Sequence, residues 1–170
     1  MEADRNVCTD LALGALAGAA ATWIMGQVTT FLYEREDEQA RRREDQARGE
    51  KTAYEVAAEK AAGFADRQLS DDERKKLGSA IHWAVGIGAG ALHGVLRRRL
   101  VGRGLGPDLL VGAAFGTAVW LLLDEVGNVA LGLTPGPAAF PWQTHARGLA
   151  GHVVLGLATE GVMQAADRVA

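Results

Sequence analysis

Apolar residues along this chain gather into four long blocks, separated by polar stretches of very unequal size. A helix needs ~20 apolar residues to cross a hydrocarbon core of ~30 Å. The blocks run roughly from Leu11 to Tyr33, Leu77 to Leu96, Leu109 to Asn128 and Ala146 to Met163. This pattern predicts an all-α membrane protein with four transmembrane helices. Small residues recur every fourth position within the blocks: Gly14, Gly18, Thr22 and Gly26 in the first, Gly86, Gly90 and Gly94 in the second, Gly112 and Gly116 in the third, with Gly156 in the fourth. A row of this spacing clears one side of a helix for close backbone contact, so a Gly-rich bundle is expected. The same rows can also join two copies of the chain, which makes a homo-oligomer a candidate partner beside the lipid bilayer.

The blocks also repeat. His82-x3-Gly86 parallels His152-x3-Gly156, and Gly14-x3-Gly18 parallels Gly112-x3-Gly116. Two repeated helical hairpins would follow, related by an axis along the membrane normal, with His82 and His152 as equivalent partners across the bundle.

Between the first two blocks lies a polar insert, residues 34–76, holding 24 of the 39 charged residues. Its mixture of signs, with Arg41, Arg42 and Arg43 beside acidic neighbours, reads as solvated helix laced with i,i+4 pairs, or else as a partner-docking surface. Thr52 with Glu55, and Ser70 with Glu73, fit the capping box in which a hydroxyl and a carboxylate satisfy each other's orphan backbone donors. The first would launch a short amphipathic helix with Tyr54, Ala57, Ala58, Ala61 and Phe64 near one face; the second would run directly into helix two. Arg97, Arg98 and Arg99 would snorkel at the far end of that helix. Gly102, Gly104 and Gly106 read as a turn, and Pro107 suits the first helical position, where its missing N–H costs nothing. The loop from Val129 to Thr144 has no Lys or Arg and is expected at the membrane interface.

Composition changes the picture little. The mean hydropathy near zero averages a charged insert with apolar spans. The first block is flanked by Glu2, Asp4, Arg5 and Asp10 and is about twice as long as a signal core, so it reads as a retained helix. Cys8 has no second cysteine to bond. No basic stripe with interleaved aromatics speaks for nucleic acid, and no phosphate-cradling loop, paired cysteine ligands or nucleophile elbow speaks for a soluble enzyme.

The candidate chemistry lies in the ionisable residues inside the spans. At ~1.5 Å per residue, His82, Asp124, Glu125 and His152 each fall ~6 to 9 Å inside the boundary on the insert side. Gln27 reaches the same level, with His145 and Arg147 just above. Unpaired, such groups are costly in lipid, so they are expected to touch one another. A structural knot would pair Glu125 with Arg147, and Asp124 with His82 or His152. A proton- or ion-handling site could use the same groups, because a histidine beside a carboxylate titrates near neutral pH. A haem or metal site is a third alternative, disfavoured by unmatched depths: His82 and His93 are eleven apart, His145 and His152 seven. No cofactor or metal is therefore expected. Near the opposite face, Glu160 should meet an arginine of the 97–99 cluster.

The order of these features resembles a known family. A small-residue first helix, a polar insert, His82-Trp83-x3-Gly86 opening helix two, Asp124-Glu125 closing helix three, a Pro-containing loop and His152-x3-Gly156 in helix four are similar to the YagU-type inner-membrane proteins of bacteria. The resemblance spans nearly the whole chain and rests on the order of the motifs. It implies a multi-pass protein of the bacterial inner (plasma) membrane, without enzymatic activity and associated with acid resistance; it supplies no catalytic residue. Basic residues near the membrane ends number eleven on the insert, against Arg5, Arg97, Arg98, Arg99, Arg103 and Arg168 opposite. The positive-inside rule then favours a cytoplasmic insert.

Overall fold

The computed structural model describes residues 6–49, 51–100 and 105–169. Regular structure there is entirely helical. The turn expected at Gly102 and Gly104 lies outside the described residues, as do Arg5, Arg103 and the side chains of Arg98 and Arg99.

Helix α1 spans Val7–Tyr33 and is capped by Asn6, whose side chain accepts from Thr9 N. The insert supplies α2 (Glu38–Arg48) and α3 (Ala53–Gly63). The Ser70 backbone N–H donates to Glu73 at 3.0 Å while Glu73 N–H donates to the Ser70 hydroxyl, and α4 (Asp71–Leu100) begins there. Helix α5 (Leu105–Val119), with Pro107 in its first turn, winds into a π-helical segment, Trp120–Gly127, and a last α-helical turn, α6 (Asn128–Ala130). A 3-10 turn at Pro137–Ala139 leads to α7 (Trp142–Val169).

Val7–Tyr33, Asp71–Arg97 and Asp108–Ala130 are long and apolar enough to cross a membrane. At 28 residues α7 has the length but carries Arg147, His152, Glu160 and Gln164, which lower its hydropathy. Three candidate spans thus stand where the pattern of apolar blocks predicts four.

The side chains are arranged with small groups inside. The buried residues of α1 are Asp10, Gly14, Ala17, Gly18, Ala21 and Thr22, while Leu16, Trp23 and Phe31 face outward, as do Leu110, Leu121 and Leu122 further on. Bulky apolar residues outside and small ones between helices suit a lipid surround, where close van der Waals contact rather than burial from water joins helices.

Two antiparallel pairs, α1 with α4 and α5 with α7, are joined through α1 and α7. Gly14 lies against the Gly90 backbone, and a methyl group on Gly18 would lie 2.7 Å from Gly86 O and 2.9 Å from Gly90 Cα. In the second pair a methyl on Gly112 would lie 2.7 Å from Gly156 O, and Gly116 abuts the backbone of His152. These contacts match Gly14 with Gly112, Gly18 with Gly116, Gly86 with His152, and Gly90 with Gly156. The repeat read from sequence, which matched His82 with His152, is therefore one helical turn out of register. His82 corresponds instead to Gly148, because backbone approach rather than side-chain identity sets the pairing.

The crossing generates a test. Gly90→Leu should destabilise the protein in detergent by about 1–3 kcal/mol or more, since a side chain there collides with the backbone of Gly14 and Gly18. Gly88 has open space around it, so Gly88→Ala should be neutral or stabilising by up to about 1 kcal/mol. Thermal unfolding of the two variants separates them.

Candidate functional site: a polar cavity beneath the charged insert

The outer face of α2 is solvated and the helix carries the expected i,i+4 pairs, Arg42 with Glu38 and Arg48 with Glu44, while the inner faces of the insert are folded onto the long helices. Helix α3 starts with a complete capping box, Thr52 N–H donating to Glu55 at 2.7 Å and Glu55 N–H to the Thr52 hydroxyl at 3.3 Å. Its buried face is Glu55 and Ala58, not the expected row ending in Ala61 and Phe64; Phe64 is 94% exposed. Gly78 of α4 leaves room for this start, since a methyl there would lie 2.9 Å from Glu55 Cγ. Lys60 donates to the Leu131 carbonyl at 2.6 Å, tying α3 to the Pro-rich loop. Helix α2 is held by charge: Arg147 pairs with Glu44 at 2.5 Å and with Glu36, and the Thr144 hydroxyl donates to Glu44 at 2.9 Å.

Beneath α2 and α3 lies a cavity of 670 Å³, walled by α1, α4, the π-helical segment, the Pro-rich loop and the start of α7. His82, Asp124, Glu125, His145 and Arg147 all line it. Of the predicted layer, His82, Asp124, Glu125 and Arg147 form part of the wall of an open space, whereas His152 is buried off that wall.

The π-helix explains how both neighbouring acids reach that wall. Its hydrogen bonds skip five residues, as in Asn128 N–H donating to Leu123 O. The wider turn carries Trp120, Asp124, Glu125 and Val129 onto one side, and all four line the cavity. Ordinary α winding would turn Val129 away from Trp120.

Pairings within the layer follow the expectation in part: Asp124 faces His152 as one of its two expected partners, at the long distance of 3.6 Å, while Glu125 does not meet Arg147. Glu125 meets His145, not Arg147, with its carboxylate 2.6 Å from Nδ1, while His145 Nε2 is 3.0 Å from Pro137 O. The ring thus bridges the Glu125 carboxyl and the Pro137 carbonyl, one at each nitrogen. Arg147 is drawn to Glu36 and Glu44 because α2 brings two carboxylates to it. Asp124 lies 3.6 Å from His152 Nδ1, which donates instead to Gly148 O at 2.9 Å. His82 packs edge-on against Tyr54, ring centroids 5.0 Å apart, and neither pairs with Asp124 through a described hydrogen bond. Gln27 is corrected outright: it is exposed on the outer face of α1, away from the cavity wall. Thr29 and Thr30 occupy the place assigned to it.

At the other end of the bundle Glu160 is fully buried. It accepts from His93 Nε2 at 2.8 Å, twice from Arg97 at 2.8 and 3.1 Å, and from Gln164 at 3.1 Å. Arg97 also reaches Asp167 at 2.8 Å, and the His93 ring leans on Phe115 with centroids 4.7 Å apart. These contacts close α4 onto α5 and α7, which it otherwise barely touches. Among the described residues no three His, Cys, Asp or Glu side chains are placed to hold a metal ion.

No protein-family model matches the chain, no curated protein matches it, and no solved structure matches it.

Sequence reasoning missed Tyr54 and Trp120 as cavity walls, His145 as the partner of Glu125, and Glu44 as the anchor of Arg147. Glu44 is one acid among many in the insert, and no local signal singles it out. Trp120 and Asp124 stand four apart in the small-residue row of helix three, which was a readable hint for that pair.

Two groups outside the spans carry shifted pKa values. Burial pushes the Tyr54 phenol up to about 12, with the Asp124 charge adding to it. Burial would also raise Glu44, but the Arg147 hydrogen bond, the Arg48 charge and the Thr144 hydroxyl outweigh it and hold that carboxyl below its usual range. Because the Glu44 value is depressed on folding, its contribution to α2 docking is present above the ordinary carboxylate range and lost as pH falls through its own lower value. For Tyr54, raised on folding, the stabilisation holds below the ordinary value of 10.0 and is lost as pH rises towards 12. An alkaline ultraviolet titration should therefore show a late phenolate step that Tyr54→Phe removes. Acid titration of wild type against Glu44→Gln should show a low-pH unfolding phase only in the wild type.

Proposed function

We propose that the chain is a four-span, non-enzymatic membrane protein of the YagU-like type in the bacterial inner membrane, and that it translocates protons or small ions through its His/carboxylate layer. The observation that carries the reading is the opening of that layer: Asp124, Glu125, His82 and His145 line a 670 Å³ cavity under the insert. A structural knot would have its polar groups satisfied by one another, whereas here Asp124 accepts no described hydrogen bond. The His145 ring joins the Glu125 carboxyl to the Pro137 carbonyl at the same wall. In this reading α7 is the fourth span, tolerated in lipid because Thr159 and Glu160 are at most 1% exposed and His152 6%.

The far cluster of His93, Arg97, Glu160 and Asp167 serves as the closed end of the path, so that access alternates between the insert side and the opposite face. A role in acid tolerance follows if the moving species is the proton. Positive-inside logic keeps the insert on the cytoplasmic side, and the outward-facing glycines 26 and 161 leave room for a second copy of the chain.

Purified protein in lipid vesicles loaded with a pH-sensitive dye should equalise an imposed pH gradient at least several-fold faster than empty vesicles. Asp124→Asn and His145→Gln should each slow it at least tenfold. Equal rates in protein-containing and empty vesicles would leave the bundle with a packing role alone, the second reading of the layer.

A further inference from the structure

The cavity is much larger than a proton or a bare ion requires. Its 670 Å³ falls in the range of small-molecule sites, and its wall has one carboxylate that accepts no described hydrogen bond. Four carboxylates line it: Glu44, Glu55, Asp124 and Glu125. Glu44 is held by Arg147, Arg48 and Thr144. Glu55 closes the α3 capping box, and Glu125 meets His145. Asp124 alone accepts no described hydrogen bond. The nearest basic nitrogen, His152 Nδ1, is 3.6 Å away and donates to Gly148 O.

The cations of the wall are not equally available. Arg48 and Arg147 are taken up by Glu44, and Arg147 by Glu36 as well. Lys75 sits at the exposed rim, two turns of α4 above His82. An anion entering the cavity would meet occupied guanidinium groups, whereas a cation would meet a carboxylate that accepts no described hydrogen bond and whose one ion-pair contact, to His152, is long at 3.6 Å. Aromatic rings stand beside that carboxylate. A methyl group on Gly148 would lie 3.0 Å from the indole nitrogen of Trp120 and 4.0 Å from Asp124 Oδ2, so ring and carboxylate share one glycine floor. Tyr54 borders the same space from α3, and the Asp124 charge is close enough to act on its phenol. A carboxylate flanked by aromatic faces is the environment that favours an organic ammonium over a hydrated metal ion, because the rings attract a cation that has shed its water.

On the reading that the cavity is the entrance of a translocation path, we propose that its cargo is a monovalent organic cation, an ammonium bearing an apolar or aromatic group, held by Asp124 against Trp120 and Tyr54. The carboxylate supplies the charge, the rings the desolvated contact, and Gly148 the space that lets both approach.

Calorimetric titration of the full chain in detergent tests this, with benzyltrimethylammonium as the probe. Choline and its neutral isostere 3,3-dimethylbutan-1-ol serve as a charge pair. Benzyltrimethylammonium should bind, and choline should bind at least tenfold more tightly than its isostere. Asp124→Asn should weaken benzyltrimethylammonium at least tenfold, Asp124→Glu should retain part of the affinity, and Trp120→Leu should weaken it several-fold. The proposal is overturned if no cation binds, if the neutral isostere matches choline, or if benzenesulfonate binds more tightly than benzyltrimethylammonium. These comparisons use the wild-type chain and need no variant to fold. Proton flux in vesicles without any organic cation is a separate readout. Flux with no cation binding removes the cargo and leaves the transport reading; charge-selective binding with no flux removes transport and supports the Asp124 site.

Discussion

Backbone-to-backbone contact at the glycine crossings is the constraint from which the rest of this molecule follows. Gly14 against Gly90, and Gly116 against His152, bring helix axes closer than any side chain allows. With that little space between helices, Leu16, Trp23 and Phe31 have no interior to fill and turn outward. An interface made of backbone and Cα atoms is stable where the surrounding medium is as apolar as the side chains. Tight pairing of α1 with α4 and of α5 with α7 also leaves α4 and α5 apart at the insert end. The cavity occupies that gap, so its existence is a by-product of where the glycines are placed.

Polar groups gather at both ends of the wedge, and each end is organised by one arginine. Arg147 spans Glu36 and Glu44 beside the cavity; Arg97 spans Glu160 and Asp167 at the closed end. A guanidinium presents a fork of donors and can satisfy two carboxylates without giving up its charge. The two arrangements differ in what they join. Arg97 joins two long helices through the buried Glu160 and the more exposed Asp167, while Arg147 ties the polar insert to the start of α7 through Glu36 and Glu44, both largely buried.

Much of this architecture could be read from spacing. Small residues at every fourth position marked the crossing surfaces Gly14, Gly18, Gly86, Gly90, Gly112 and Gly156, because close approach requires them whatever the partner. The capping residues Thr52 and Ser70 marked two helix starts, since their chemistry is local. The Glu160 and Arg97 pair was visible from depth alone. Pairings that depend on tertiary placement were not legible. Nothing local says that Glu44 rather than Glu125 would claim Arg147, or that Gln27 would point outward. The repeat was misread by a turn because identical His-x3-Gly spellings occupy different contact levels. The π-helical winding has no sequence signature, yet it decides which residues of the Asp124 region line the cavity wall.

The helix α2 described above has a consequence of a different kind. Few of its backbone atoms approach the membrane helices; side chains hold it, through Arg147, Thr144, Gln143 and the Tyr33 hydroxyl that donates to Asp45. The exposed contacts among these weaken as counter-ions accumulate, over a Debye length of ~8 Å at physiological salt, while the buried Arg147–Glu44 pair is screened much less. One side of the cavity mouth is therefore held by side chains and the other by close backbone seating, so single substitutions can release the first without touching the second.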